Sequence, residues 1–144
     1  MSFGVGAGDL IAITTLAWNL YKSCRESSEE FKRISQEVAS LHVVLKETEE
    51  YLEETKGKSL SPTRGERLLT LVKGCQGVLE DLKTLVDKYE SLGTPQQRAW
   101  DRAKWGLENL ADLRDRIMSN ATLLSAFNTS LAKYIPRTPA PEPH

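Results

Sequence analysis

Along most of its length the chain alternates apolar and charged positions with a helical period. From Phe31 onward, Ile34, Val38, Leu41, Leu45, Thr48 and Leu52 recur at steps of three and four, which puts them on one stripe of a helix facing a packed partner. Leu68, Leu71, Cys75, Val78, Leu82, Leu85 and Tyr89 repeat the alternation. A third stripe runs through Leu107, Leu110, Leu113, Ile117, Leu124, Phe127 and Leu131. The first two stripes belong to consecutive long helices with a short connection, so they predict an antiparallel helical hairpin. No segment carries a strand pattern of any weight.

The punctuation between stripes fits helix ends. Ser27 with Glu30 forms a capping box that opens the helix running to about Thr55. Residues 56–62, KGKSLSP, break the pattern as a loop does. Ser61 followed by Pro62, or Thr63 with Glu66, then starts the next helix. Leu92-Gly93 closes it, and Thr94-Pro95-Gln96-Gln97 reads as another box. A short helix carrying Trp100 and Trp105 follows, with Gly106 placed to kink or interrupt it before the last long helix to about Lys133. Gly74 and Gly77 each cost about 1 kcal/mol of helix propensity against Ala and mark a close approach between helices.

The first twenty-one residues differ from the rest. They carry one charged side chain, Asp9. Asp9 is placed to cap a helix reaching about Cys24 or Arg25, its charge at the positive end of the dipole. Leu10, Ile13, Ala17 and Leu20 cover one face, while Ile11, Trp18 and Tyr21 point in other directions. A helix apolar nearly all round is either the enclosed helix of a bundle or a membrane-seeking segment. Burial at rest is the favoured reading, and it is compatible with later release. Residues 10–21 are too short to span a bilayer, and no basic residue precedes them as in an export signal.

These elements predict an all-α, up-and-down bundle of four to five helices over residues 1–134. Residues 135–144, IPRTPAPEPH, hold four of the six prolines and are expected to be a disordered or extended linker.

Composition removes whole classes of function. A length of 144 residues suits one domain with its own core. Nineteen basic against twenty acidic residues leave no basic footprint for nucleic acid. Cys24 and Cys75 have neither metal-knuckle nor redox-pair spacing, which fits a reduced cytosol. The only histidines are His42, expected at a surface or boundary, and His144, and no nucleophile or ligand pattern accompanies them. Gly4, Gly6 and Gly8 alternate without the strand and Gly-Lys-Ser/Thr of a phosphate loop. No enzyme and no cofactor is expected. Asn120 and Asn128 match the glycosylation pattern but fall in a helical stretch without an export signal, so neither is expected to be used.

The start FGVGAGDLIAITTLAWNLYKSC, the segment SSEEFKRISQEVASLHVVLKETEE and the segment WDRAKWGLENLADLRDRIMSNATLLSAFNTSL resemble the fungal HeLo-like N-terminal domain. The resemblance covers roughly residues 2–132. It implies a helical bundle at the N-terminus of STAND (NLR-like) receptors or of amyloid-controlled two-domain proteins. It is similar to the executioner domains of HeLo proteins and of the mixed-lineage kinase-like pseudokinase, which permeabilise membranes in regulated cell death. The resemblance makes residues 3–21 the membrane-targeting element, with Phe3, Val5, Leu10, Ile11, Ile13, Leu16, Trp18 and Leu20 as the lipid-seeking side chains. It also implies membrane lipids and other copies of the chain as partners on activation. A downstream NACHT/NB-ARC or amyloid module would supply control, and the protein would be cytoplasmic at rest and at the plasma membrane when active.

Overall fold

The computed structural model describes residues 7–54, 60–95 and 104–133. They form four helices: α1 (Ala7–Arg25), α2 (Glu29–Glu54), α3 (Pro62–Glu90) and α4 (Lys104–Ala132). No strand occurs among the described residues. The all-α bundle is therefore as the periodicity predicts. The proline-rich tail, Trp100, and the side chains of Trp105 and Leu107 lie outside the described residues.

Most helix ends follow local chemistry. Ser61 caps α3, its Oγ accepting from the Arg64 N–H at 3.3 Å, and Pro62 follows where its missing N–H costs nothing. Gly93 adopts φ 79°, the left-handed conformation that glycine supplies just past a helix. Two starts differ from expectation. α1 begins at Ala7, so Asp9 sits within the first turn rather than at its cap, where its charge still complements the dipole. α2 begins at Glu29, because the Ser27 N–H is used to bond back to the Cys24 carbonyl at 3.2 Å. Ser28 then flanks the helix, its carbonyl accepting from the Lys32 N–H at 2.8 Å. α4 runs through Gly106 without a break.

The helices alternate in direction, but neighbours in sequence are not always neighbours in space. α1 packs on α2 and α3, and α4 packs on the same two. α2 and α3 are thus diagonal across the bundle, and the expected α2–α3 hairpin does not form. Its absence is a matter of reach. The turn of three residues from Glu26 to Ser28 forces α2 beside α1. The seven residues between Glu54 and Pro62 extend to about 23 Å, enough to cross a diagonal of roughly 11–14 Å set by ordinary helix spacing. Side-chain pairs fix the directions. Arg114 meets Glu37 at 2.8 Å and Asn128 meets Thr48 at 2.9 Å, so α2 and α4 run parallel. Arg116 meets Asp81 at 2.9 Å while Asn120 lies against Gly74, so α3 and α4 run antiparallel.

The diagonal placement also moves the buried stripe of α3. Val72, Leu79 and Val86 are buried beside Leu68, Cys75, Val78, Leu82 and Tyr89, whereas Leu71 and Leu85 are only partly covered. Both sets have helical spacing, and the position of α1 and α4 selects between them. One polar contact crosses the core. The Thr48 hydroxyl donates to Asn128 Oδ1, and Asn128 Nδ2 donates to the Val44 carbonyl at 3.1 Å, tying α4 to α2 with both buried groups satisfied. Asn128 is buried in α4 and has no room for a glycan, whereas Asn120 is half-buried with its Nδ2 donating to the Arg116 carbonyl at 2.8 Å.

The two glycines of α3 differ. A Cβ at Gly74 would lie 2.6 Å from Asn120 Oδ1, so this glycine permits the close α3–α4 approach. A Cβ at Gly77 would meet nothing within 4 Å. Gly77→Ala is therefore expected to stabilise the fold by about 0.5–1 kcal/mol, read as a rise of about 2–4 °C in thermal melting. Gly74→Ala should give no such rise.

Candidate membrane-contact site

α1 carries no charged side chain between Asp9 and Lys22, more than three turns. The bundle does not enclose it. Leu10, Ile13, Ala17, Leu20 and Cys24, at steps of three and four, are buried against α2 and α3. The opposite side faces solvent, with Ile11 53% and Trp18 45% exposed and Ala12, Thr15 and Asn19 also open. Ile11 and Trp18 are seven residues apart, so they stand on one flank, two turns apart. The enclosed central helix expected for such a composition is replaced by a peripheral helix whose outer side is uncharged.

Trp18 is held at the seam of α1 and α2. Its ring centroid lies 5.2 Å from that of His42 and 5.4 Å from that of Tyr21, with Lys22 Nζ 6.0 Å from it. Arg25 Nη1 donates to the Tyr21 hydroxyl at 3.3 Å, fixing the second ring. The arrangement presents an amphipathic aromatic with a cation beside it, the side-chain chemistry found at membrane interfaces. Burial, and then Lys46, hold the His42 pKa below its ordinary value, opposed by Glu49. His42 thus contributes a neutral ring beneath Trp18 at neutral pH.

The residues expected to seek lipid divide by face. Ile11 and Trp18 are available on the closed bundle. Leu10, Ile13 and Leu20 belong to the core, and Leu16 is half-buried on the flank towards α3. Phe3 and Val5 lie outside the described residues. His42, Tyr21 and Lys22 join the site through the α1–α2 pairing. Sequence spacing holds no signal for the His42 contact. Other exposed apolar side chains, Val43, Met118 and Leu123, stand on α2 and α4, as is ordinary for a protein surface.

No family model, curated protein or solved structure matches the chain. Among the described residues no helix is long and apolar enough to cross a membrane, and no group of three or more His, Cys, Asp or Glu side chains could hold a metal. Burial pushes the Cys24 and Cys75 thiols up to about 12, with Glu90 adding to the effect at Cys24, so both are protonated and unreactive in the folded state.

Proposed function

We propose that the chain is a membrane-acting effector domain of regulated cell death, the activity implied by its HeLo-like resemblance. The observation that supports this reading is the outer side of α1: a solvent-facing helix surface with no charge, carrying Ile11 and Trp18. Packing requires an apolar inner face only. In this mechanism the closed bundle is cytoplasmic, and assembly of several copies gathers their first helices at the plasma membrane. The outer face touches lipid first, and Leu10, Ile13 and Leu20 follow when α1 leaves the core. One short helix binds a bilayer weakly, and multivalent display offsets this. No cofactor or catalytic step is involved. Control comes from a downstream NACHT/NB-ARC or amyloid module.

The outer face is the place to test it. Ile11→Glu with Trp18→Glu should keep the helical circular dichroism, because neither side chain is in the core. It should cut dye release from lipid vesicles by more than tenfold, the factor that about 1.4 kcal/mol of lost membrane affinity produces. Leu123→Glu, an equally exposed apolar position on α4, should leave leakage unchanged. Undiminished leakage from the double variant would sink the proposal. A second reading, a non-lytic oligomerisation or adaptor bundle at the N-terminus of a STAND receptor, draws on the deep embedding of the inner face of α1. Under it, wild-type protein never releases dye, and the same double variant loses self-association instead.

A further inference from the structure

The seam between α1 and α2 holds the single imidazole among the described residues. His42 is half-buried on α2, and its ring centroid lies 5.2 Å from that of Trp18 on α1, at an interplanar angle of 43°. The charges around this contact are unequal. Lys46, one turn further along α2, pairs with Glu49 at 3.6 Å, and the Glu49 side chain is largely buried. From α1, Lys22 Nζ stands over the Trp18 ring at 6.0 Å, and Arg25 bonds the Tyr21 hydroxyl. On the other flank of α2, Glu37 and Thr48 are engaged by Arg114 and Asn128 of α4. The cluster of Trp18, Tyr21 and His42 rings thus carries three cations at its edges against one carboxylate that is already paired.

We infer that His42 is a pH-sensitive prop for Trp18: as a neutral ring it holds the indole against the α1–α2 seam, and once protonated it leaves the ring contact and frees the indole. A neutral imidazole packs on the indole as one aromatic on another. An imidazolium in the same place would bring a fourth cation to the cluster. The indole face attracts positive charge, but Lys22 already stands over it, so a second cation there meets repulsion as well. His42 is open to water on one side, and a side-chain rotation hydrates the charged ring while α2 stays intact. Burial, and then Lys46, act in this direction on its pKa, with Glu49 opposing. The sign follows from the lowered value. The neutral form favours the closed seam, so the contact is complete above about pH 6.5 and is lost as the pH falls through the lower value of the folded state. No other side-chain type titrates in that range at its ordinary pKa. The prop stands on the geometry of the seam alone, and only its effect on lipid contact rests on the membrane reading.

Two measurements on the full chain test it. In the wild type, nuclear magnetic resonance follows the His42 ring through pH, its signal assigned by its absence from His42→Phe. The midpoint should fall below about 6.5, and Lys46→Gln should raise it. With Trp100→Phe and Trp105→Phe in place, the remaining tryptophan emission comes from Trp18 alone. Trp18 is 45% exposed in the closed seam, so freeing its ring should raise quenching by acrylamide about twofold between about pH 7.5 and about pH 5.5. His42→Phe, which keeps a ring and cannot be protonated, should show no such step. The indole N–H resonance of Trp18 reads the same transition in the wild type, without the background substitutions, and should shift with the His42 midpoint. An equal quenching step in His42→Phe would overturn the proposal, as would unchanged quenching in a protein whose His42 titrates. A midpoint above about 6.5 would overturn it in the opposite sense, with the imidazolium clamping the indole. Dye release from vesicles should rise on acidification in the wild type and not in His42→Phe; leakage that acid leaves unchanged would overturn the part of the prop in lipid contact. Wild-type protein that never leaks would count against the membrane reading alone, since the titration and the quenching stand apart from it.

Discussion

Deleting residues 2–25 is expected to leave a chain without a cooperative fold. α1 supplies Leu10, Ile13 and Leu20 to the core, each at most 6% exposed, together with Ala17 and Cys24. Full burial of a large aliphatic side chain stabilises by about 1.5–3 kcal/mol, so these three alone contribute about 5–9 kcal/mol. A domain of this kind has about 5–15 kcal/mol in all. The loss would also bare the faces of α2 and α3 that α1 covers. The expected result is loss of the sigmoidal thermal transition in circular dichroism and aggregation on size exclusion. A truncated chain that melts cooperatively as a monomer would contradict this. The same figure bounds the mechanism. Unassisted release of α1 at about 5–9 kcal/mol has an equilibrium constant of about 10⁻⁴ to 10⁻⁷, so release must be coupled to assembly and lipid contact. For this reason Leu10→Arg is a poor probe of membrane action: it places a charge in the core and unfolds the bundle first.

What the sequence reveals of this fold is what depends on local pattern. The stripe of α2 from Phe31 to Thr48, that of α4 from Leu110 to Leu131, the Ser61 cap and the Gly93 exit follow from residue type and spacing, and the structure has them where expected, with Leu52 only partly covered. Partners are another matter. A stripe specifies a face and not the helix it meets, so the diagonal relation of α2 and α3 could not be read from matched periodicities. The register of α3 fails for the same reason: Leu71 and Leu85 are as apolar as Val72 and Val86, and only the positions of α1 and α4 decide which pair is buried. Gly74 and Gly77 differ through Asn120, a residue on another helix. At the candidate site the lack of charge on α1 is plain in the sequence, but no polar residue separates its inner and outer faces cleanly. Ile11 and Trp18 therefore stand in one set with Leu10, Ile13 and Leu20 until α2 and α3 are in place.

Phe31→Ala is expected to cost about 3–5 kcal/mol, the range for truncating a large buried aromatic. Phe31 is fully buried in the first turn of α2, and its ring meets that of Tyr89, in the last turn of α3, edge-on at 5.0 Å and 62°. The pair joins the two diagonal helices through the core. Tyr89→Leu keeps much of the apolar volume and loses the edge-to-face contact, so it should cost less, and a double-mutant cycle should return a coupling of about 0.5–1.5 kcal/mol. The location gives a second readout. Cys24 is buried at the C-terminal end of α1, beside the same end of α3, where Glu90 acts on its thiol, whereas Cys75 lies midway along α3. Loosening the Phe31–Tyr89 end should let a thiol reagent label Cys24 well before Cys75. Simultaneous labelling of both would mean that the bundle opens only as a whole, and a stability change below about 1 kcal/mol would mean that the ring is replaceable there. Early labelling of Cys24 would identify the turn between α1 and α2 as the end from which α1 peels away from the core.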